Sequence, residues 1–274
     1  MTTSSRRSWR SVSWVFLPFL AAIVVASAIA EFVEGGVPTR AARLSPAENS
    51  SPLPSPPRSR LVRRTVRLGR SVQGRPIAAS EIGDPSSRNT ILVVGCIHGS
   101  EPAGIPVVRD LLSDSPPRGV NLWVIADLNP DGVVARTRQN ARGVDLNRNF
   151  PWRWQPIGAP AAFDYSGPGP LSEPESRAAH ALILGIHPRI TIWFHQDEAL
   201  VDESGGSVAV ERRYARLVGL PLRRLPRYPG SAAGWENHHY PGTTAFVVEL
   251  PPGALPSTNV ERFADAVLEL SRAR

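Results

Sequence analysis

The chain has 274 residues, 42% of them hydrophobic, which suits one sizeable domain with appendages and falls short of two full domains. Its formal net charge is +7, but the first 70 residues hold eleven arginines against three acids, leaving 20 basic and 21 acidic residues for the rest. The basic character therefore belongs to a tail suited to an anionic membrane or wall surface, and no nucleic-acid partner is expected, since such a domain carries its charge on the folded face.

Residues 1–13 are polar and basic, and Trp14–Ala30 is an apolar run ending in small residues. Residues 1–30 read as a signal peptide or a retained N-terminal membrane anchor, with Ala26-Ser27-Ala28 or Ala28-Ile29-Ala30 as the cleavage site. Pro18 interrupts the run, whose length is near the lower limit for a membrane span. Arg6, Arg7 and Arg10 would keep that end in the cytoplasm, so the expected location is exported: secreted, or anchored to the outer face of the cytoplasmic membrane. Residues 31–60 are rich in Pro, Ser and Arg and lack apolar periodicity. Such a segment cannot bury enough surface to offset its ordering entropy, and a disordered linker is expected.

A folded domain is expected over 61–274. It opens with two β-like runs around a turn at Gln73-Gly74. Apolar runs predict strands at Thr90–Gly95, Asn121–Ala126, Ile190–Phe194 and Thr244–Leu250. Helical spacing appears at Ala103–Leu112, Glu173–Ile186, Val208–Leu217 and Val260–Leu270. Strands alternating with helices predict an α/β fold, a single domain whose central mixed sheet is flanked by helices.

The chemistry-bearing residues cluster at strand ends. His98 and Glu101 follow the Thr90–Gly95 run, and a His and a Glu three apart in a glycine-containing turn can converge on one metal ion. Cys96, the single cysteine, rules out an intramolecular disulfide and reads as a small buried side chain on a central strand. Asn129-Pro130-Asp131-Gly132 reads as a turn, and the stretch from Arg138 to Pro151 brings together Arg138, Asp145, Asn147 and Arg148, groups suited to gripping a carboxylate. His195 closes an apolar strand, where a third ligand would sit. Glu249 lies near the end of another, where a carboxylate is costly to bury unless it has a partner or a task. Tyr228 opens a loop of small residues, Tyr228–Trp235, that could move over a site. His180 and His187 fall in or just after a helix, His238 and His239 in a polar turn, and none is given a ligand role.

In this order, H-x-x-E, then DLNRNFP, then a strand ending in His and a strand ending in Glu, the chain resembles the zinc carboxypeptidases of the carboxypeptidase A type. The compact spacing and the closing VVELPPG look most like the bacterial murein peptide amidases, γ-D-glutamyl-diaminopimelate peptidases. The resemblance implies one Zn2+ held by His98, Glu101 and His195, with Glu249 as general base and acid. It implies that Arg138 polarises the scissile carbonyl, that Asn147 and Arg148 bind the substrate's terminal carboxylate, that Asp145 orients a ligand histidine, and that Tyr228 is the mobile tyrosine. The implied partner is a peptide, above all a cell-wall muropeptide. Those amidases are cytoplasmic, whereas this chain opens with an export-like segment, which points to peptides at or outside the membrane. Two other readings stay open at this stage: an N-acyl amino acid deacylase like aspartoacylase or succinylglutamate desuccinylase, and a non-catalytic module that binds wall peptides.

Overall fold

In the computed structural model, which describes residues 61–114 and 117–272, the fold opens with an antiparallel hairpin of Val62–Arg70 (β1) and Pro76–Gly83 (β2). The expected signal or anchor over 1–30 and linker over 31–60 lie outside the described residues. Thr90–Val94 (β3) leads to Gly104–Ser113 (α1), Asn121–Ile125 (β4) and a short helix, Pro130–Ala135 (α2). A single 3-10 turn at Leu146–Arg148 precedes Pro174–Ile186 (α3) and Ile190–Gln196 (β5). Leu200–Asp202 (β6), Val208–Val218 (α4), Leu222–Arg223 (β7), Ala232–His239 (α5), Thr244–Leu250 (β8) and Ser257–Ser271 (α6) complete it. Among the described residues no helix is long and apolar enough to cross a membrane.

The strands form one eight-stranded sheet in the order β1-β2-β4-β3-β5-β8-β6-β7. Its centre, β4-β3-β5-β8, is parallel, and antiparallel pairings attach β2 on one side and β6 on the other. Parallel strands buried on both faces read as unbroken apolar runs, which is why β3, β4 and β5 were legible. Side chains alternate between faces. Ile91, Val93, Ile192, Phe194, Phe246 and Val248 pack under α1, α4 and α6, against Val107, Tyr214 and Phe263. Leu92, Val94, Trp193 and Ala245 point the other way, towards Ala179 and Ile183 of α3 and Trp235 of α5. Each large apolar side chain fully buried in these layers contributes about 1.5–3 kcal/mol.

Two expectations need correction. Asn129-Pro130-Asp131-Gly132 is a helix start, not a free-standing turn: the Asn129 side chain accepts from Gly132 N and Pro130 fills the first turn, opening α2. The small-residue loop ends at Ser231, because Ala232 begins α5; His238 and His239 lie in its last turn and not in a polar turn. Ala232, Ala233 and Gly234 lack side chains large enough for apolar periodicity to be seen, although alanine itself favours a helix.

Helix α5 also buries Glu236 against β5, where Thr191 Oγ1 donates to Glu236 Oε1 and Glu236 Oε2 has no partner. Burial pushes this carboxyl up to about 8 from an ordinary 4.5. The folded protein therefore keeps a proton that the unfolded chain releases, and the group's contribution to stability falls as pH rises from 4.5 towards 8. Glu236→Gln keeps the Thr191 contact and removes that proton uptake. Its melting temperature should drop less than wild type's between about pH 5 and about pH 8; an equally steep drop would mean the folded carboxyl is ionised.

Candidate active site

The topology sets where a site can form. Chain order carries β3 to β4 on one side and then to β5 on the other, so the crevice beyond the end of β3 lies at a switch point. The turn after β3 carries His98 and Glu101 and presses against α2. A Cβ on Gly99 would lie 1.9 Å from the Gly132 carbonyl carbon, so only glycine permits this approach. On β5, His195 shares a face with Trp193, and on β8, Glu249 shares one with Val247. The two residues are register partners across neighbouring parallel strands.

His98 Nδ1 lies 2.9 Å from Glu101 Oε2 and 3.1 Å from His195 Nδ1, and His195 Nδ1 lies 3.0 Å from the same Glu101 oxygen. Among the described residues these three form the cluster able to hold a metal ion. The donor set fits zinc. His98 Nε2 faces Asp145 Oδ1 at 3.0 Å, and since an ionised carboxylate only accepts, that nitrogen carries the proton. In the neutral ring Nδ1 then presents a lone pair to a carboxylate oxygen and a second imidazole nitrogen, an arrangement that a cation resolves.

The electrostatics agree. Burial alone would raise the Asp145 carboxyl, but His98 and Arg138 hold it well below the usual range. Glu101 is likewise held low against its burial by His98 and His195. Burial lowers His195 despite Glu101, whereas in His98 the charges of Asp145 and Glu101 outweigh burial and raise it. Glu249 goes the other way: burial, then the negative charges of Glu101 and Glu198, push it up to about 7. Glu249 Oε2 is buried without a hydrogen-bond partner.

Seven of the eight residues singled out as site residues line one cleft of about 840 Å3, namely His195, Glu101, Glu249, Arg138, Asn147, Arg148 and Tyr228, while His98 is fully buried with its Nδ1 2.9 Å from Glu101 Oε2. Arg138 Nη1 donates to Glu101 Oε1 at 2.7 Å and its Nε to Asp145 Oδ2 at 3.0 Å, so its strongest partners are the site's own carboxylates. Asn147 N donates to Asp145 Oδ1 at 2.8 Å and its Oδ1 accepts from Ala232 N at 2.9 Å, which directs its amide. Arg148 is nearly buried, donates to Asn147 O at 2.9 Å and stacks on the Tyr228 ring at 4.1 Å. Its Nε has no partner, and among the described residues no carboxylate lies within ion-pair distance of it. Cys96 donates to His98 O and stays outside the cluster as a buried free thiol. Sequence reasoning missed Phe163, which is 69% exposed and carries the Arg138 guanidinium 4.6 Å above its ring. A lone aromatic in an irregular loop gives no signal of that.

Because Asp145 fixes the tautomer of His98, Asp145→Asn should weaken zinc binding by about 10–100-fold, measured by chelator competition. Unchanged affinity would remove Asp145 from the metal's support.

Comparison with known proteins agrees with this geometry. The zinc carboxypeptidase family profile matches residues 59–202. Murein peptide amidase A of Escherichia coli strain K12 is 32% identical over 184 residues, spanning 62% of this chain and 75% of that protein. The Vibrio campbellii murein peptide amidase A is 30% identical over 217 residues, 74% of this chain and 85% of its own length. Among solved structures, murein-tripeptide amidase from Escherichia coli O157 matches with a TM-score of 0.63 at 30% identity, over 77% of this chain and 92% of that one. Carboxypeptidase A from Helicoverpa armigera, at 18% identity and a TM-score of 0.65 over 77% of this chain and 68% of that one, shares the fold. With its single mixed sheet, its His-Glu-His cluster and these relatives, the chain belongs to the zinc carboxypeptidase family.

Proposed function

We propose that this hydrolase cleaves an amide bond next to a free carboxylate in peptidoglycan-derived peptides, with zinc held by His98, Glu101 and His195. One observation carries the reading. A single cleft contains a three-donor cluster, a carboxylate without a partner (Glu249) and an arginine without a counter-ion (Arg148). Zinc, when bound, acidifies a water molecule and draws charge from a carbonyl oxygen.

The chain's own groups supply the rest. Glu249, beside His195 on the neighbouring strand, takes the proton of the attacking water and returns it to the leaving amine. Arg138 lends positive charge where the carbonyl oxygen becomes negative. Arg148 offers a planar fork and Asn147 an oriented amide to the terminal carboxylate, which places the cut beside a chain end. Tyr228 walls that end of the cleft. Similarity to the murein peptide amidases supports a wall-peptide substrate. The apolar run Trp14–Ala30 supports export, which would put the enzyme in contact with such peptides at or beyond the membrane.

Glu249→Gln should retain zinc and lose turnover by about 10^2–10^4-fold on a wall tripeptide followed by mass spectrometry; near-wild-type hydrolysis would refute the reading. Arg148→Ala should raise KM for substrates with a free C-terminal carboxylate by about tenfold or more and leave the poor cleavage of C-terminally amidated peptides unchanged. Equal losses on both substrate types would remove the carboxylate role.

A further inference from the structure

Tyr228 reads in the sequence as part of a loop free to move, yet the segment around it is tied down on both sides. Before it, Asp202, only 3% exposed at the end of β6, accepts from Leu225 N at 2.8 Å and from Arg227 Nη1 at 2.6 Å. Ser204 Oγ donates to the same carboxylate at 2.6 Å, and Arg227 Nη2 donates to Glu203 O. After it, Gly230 O accepts from Phe150 N at 2.9 Å and Gly230 N donates to Trp152 O at 3.1 Å. Gly230 has φ +69°, and a Cβ there would lie 2.2 Å from Arg148 O, so the segment seats directly on the backbone of Arg148. Only Tyr228 and Pro229 lie between the two anchors, and the Tyr228 ring faces the Arg148 guanidinium at 4.1 Å.

We propose that Asp202 and Arg227 are positioning residues that clamp the backbone of the 224–230 segment, from which Tyr228 reaches over the Arg148 guanidinium. The inference rests on Arg148 as the carboxylate-binding residue for its kinetic consequence, whereas the clamp stands on contacts outside the metal cluster. A guanidinium stacked on a ring keeps its in-plane donors free, and the clamp sets where the backbone carrying that ring stands before substrate arrives.

The zinc-loaded full chain, wild type and Arg227→Gln, can be compared in native trypsin digestion, reading the fragment that begins at Leu225 by mass. Arg227 is partly exposed, so the variant should fold as wild type does, as circular dichroism will show. Cleavage after Arg224 should be at least about tenfold faster in the variant, because proteolysis tracks local opening. On a free-carboxylate peptide, KM should rise about tenfold with kcat changed by no more than about threefold. Asp202→Asn should act in the same direction on both measures. Arg227→Lys, which keeps the charge on Asp202, should recover KM to within about threefold of wild type. Unchanged cleavage in both Arg227→Gln and Asp202→Asn overturns the clamp. Faster cleavage with unchanged KM overturns the positioning role. Should Glu249→Gln prove fully active, the peptidase reading fails, while the trypsin comparison still decides the clamp.

Discussion

Asp145 has no exposed surface, and its carboxylate accepts from His98 Nε2, from the Asn147 amide and from Arg138 Nε. Each donor leads to a different part of the site: the His-Glu-His cluster, the end lined by Asn147 and Arg148, and the side lined by Arg138. Removing one partner of a buried charged network costs about 3–5 kcal/mol, because the remaining charge is left uncompensated. The three parts are therefore coupled through one side chain, and the short 3-10 turn that Asp145 caps is what holds Asn147 and Arg148 in register with His98.

The sheet explains why so much charge can be buried without disrupting the core. Period-two alternation sends Ile192 and Phe194 into one apolar layer and Trp193 and His195 to the other face. The same alternation in β8 separates Phe246 and Val248 from Val247 and Glu249. His195 and Glu249 pair one position before the strand ends, on the face opposite Phe194, Val248 and Leu250, so the cluster's face continues where the Trp193 layer stops while the other face stays apolar.

The central strands and the four longer helices were legible because burial on both faces, or on one stripe, writes a period into the sequence. The ligand histidines and the DLNRNFP stretch were legible as residue types in order, although H-x-x-E alone carries little information. What escaped was local structure decided by tertiary contacts. Asn129-Pro130 is compatible with a turn or a helix start, and the observed helix combines the local Asn129 cap with the close packing of Gly132 against Gly99. Ala232–His239 lacks an apolar stripe, and Glu236 and Trp235 are buried by β5 and α3, not by a sequence pattern. The bonds from Leu225 and Arg227 to Asp202, and from Phe150 to Gly230, on either side of Tyr228, are likewise invisible in the sequence because their partners lie far apart along the chain.

Arg138 and Arg148 show how the same residue type takes opposite roles ten positions apart. Arg138 is paired with Glu101 and Asp145, while Arg148 has a ring on one face and an unpartnered Nε. With both histidines neutral and all three carboxylates ionised, Glu101, Asp145, Glu249, Arg138 and Arg148 carry one net negative charge. A divalent cation in the His-Glu-His cluster would turn the balance of these five groups into one net positive charge. On the proposed reading, that added positive charge favours a carboxylate chain end over a neutral one. Metal binding and selection of the chain end are, on that reading, coupled: an ion in the His-Glu-His cluster would shift the charge of the whole cleft, which also holds Asp197, Glu198, Asp202, Arg224 and Arg227, by two units in favour of a carboxylate.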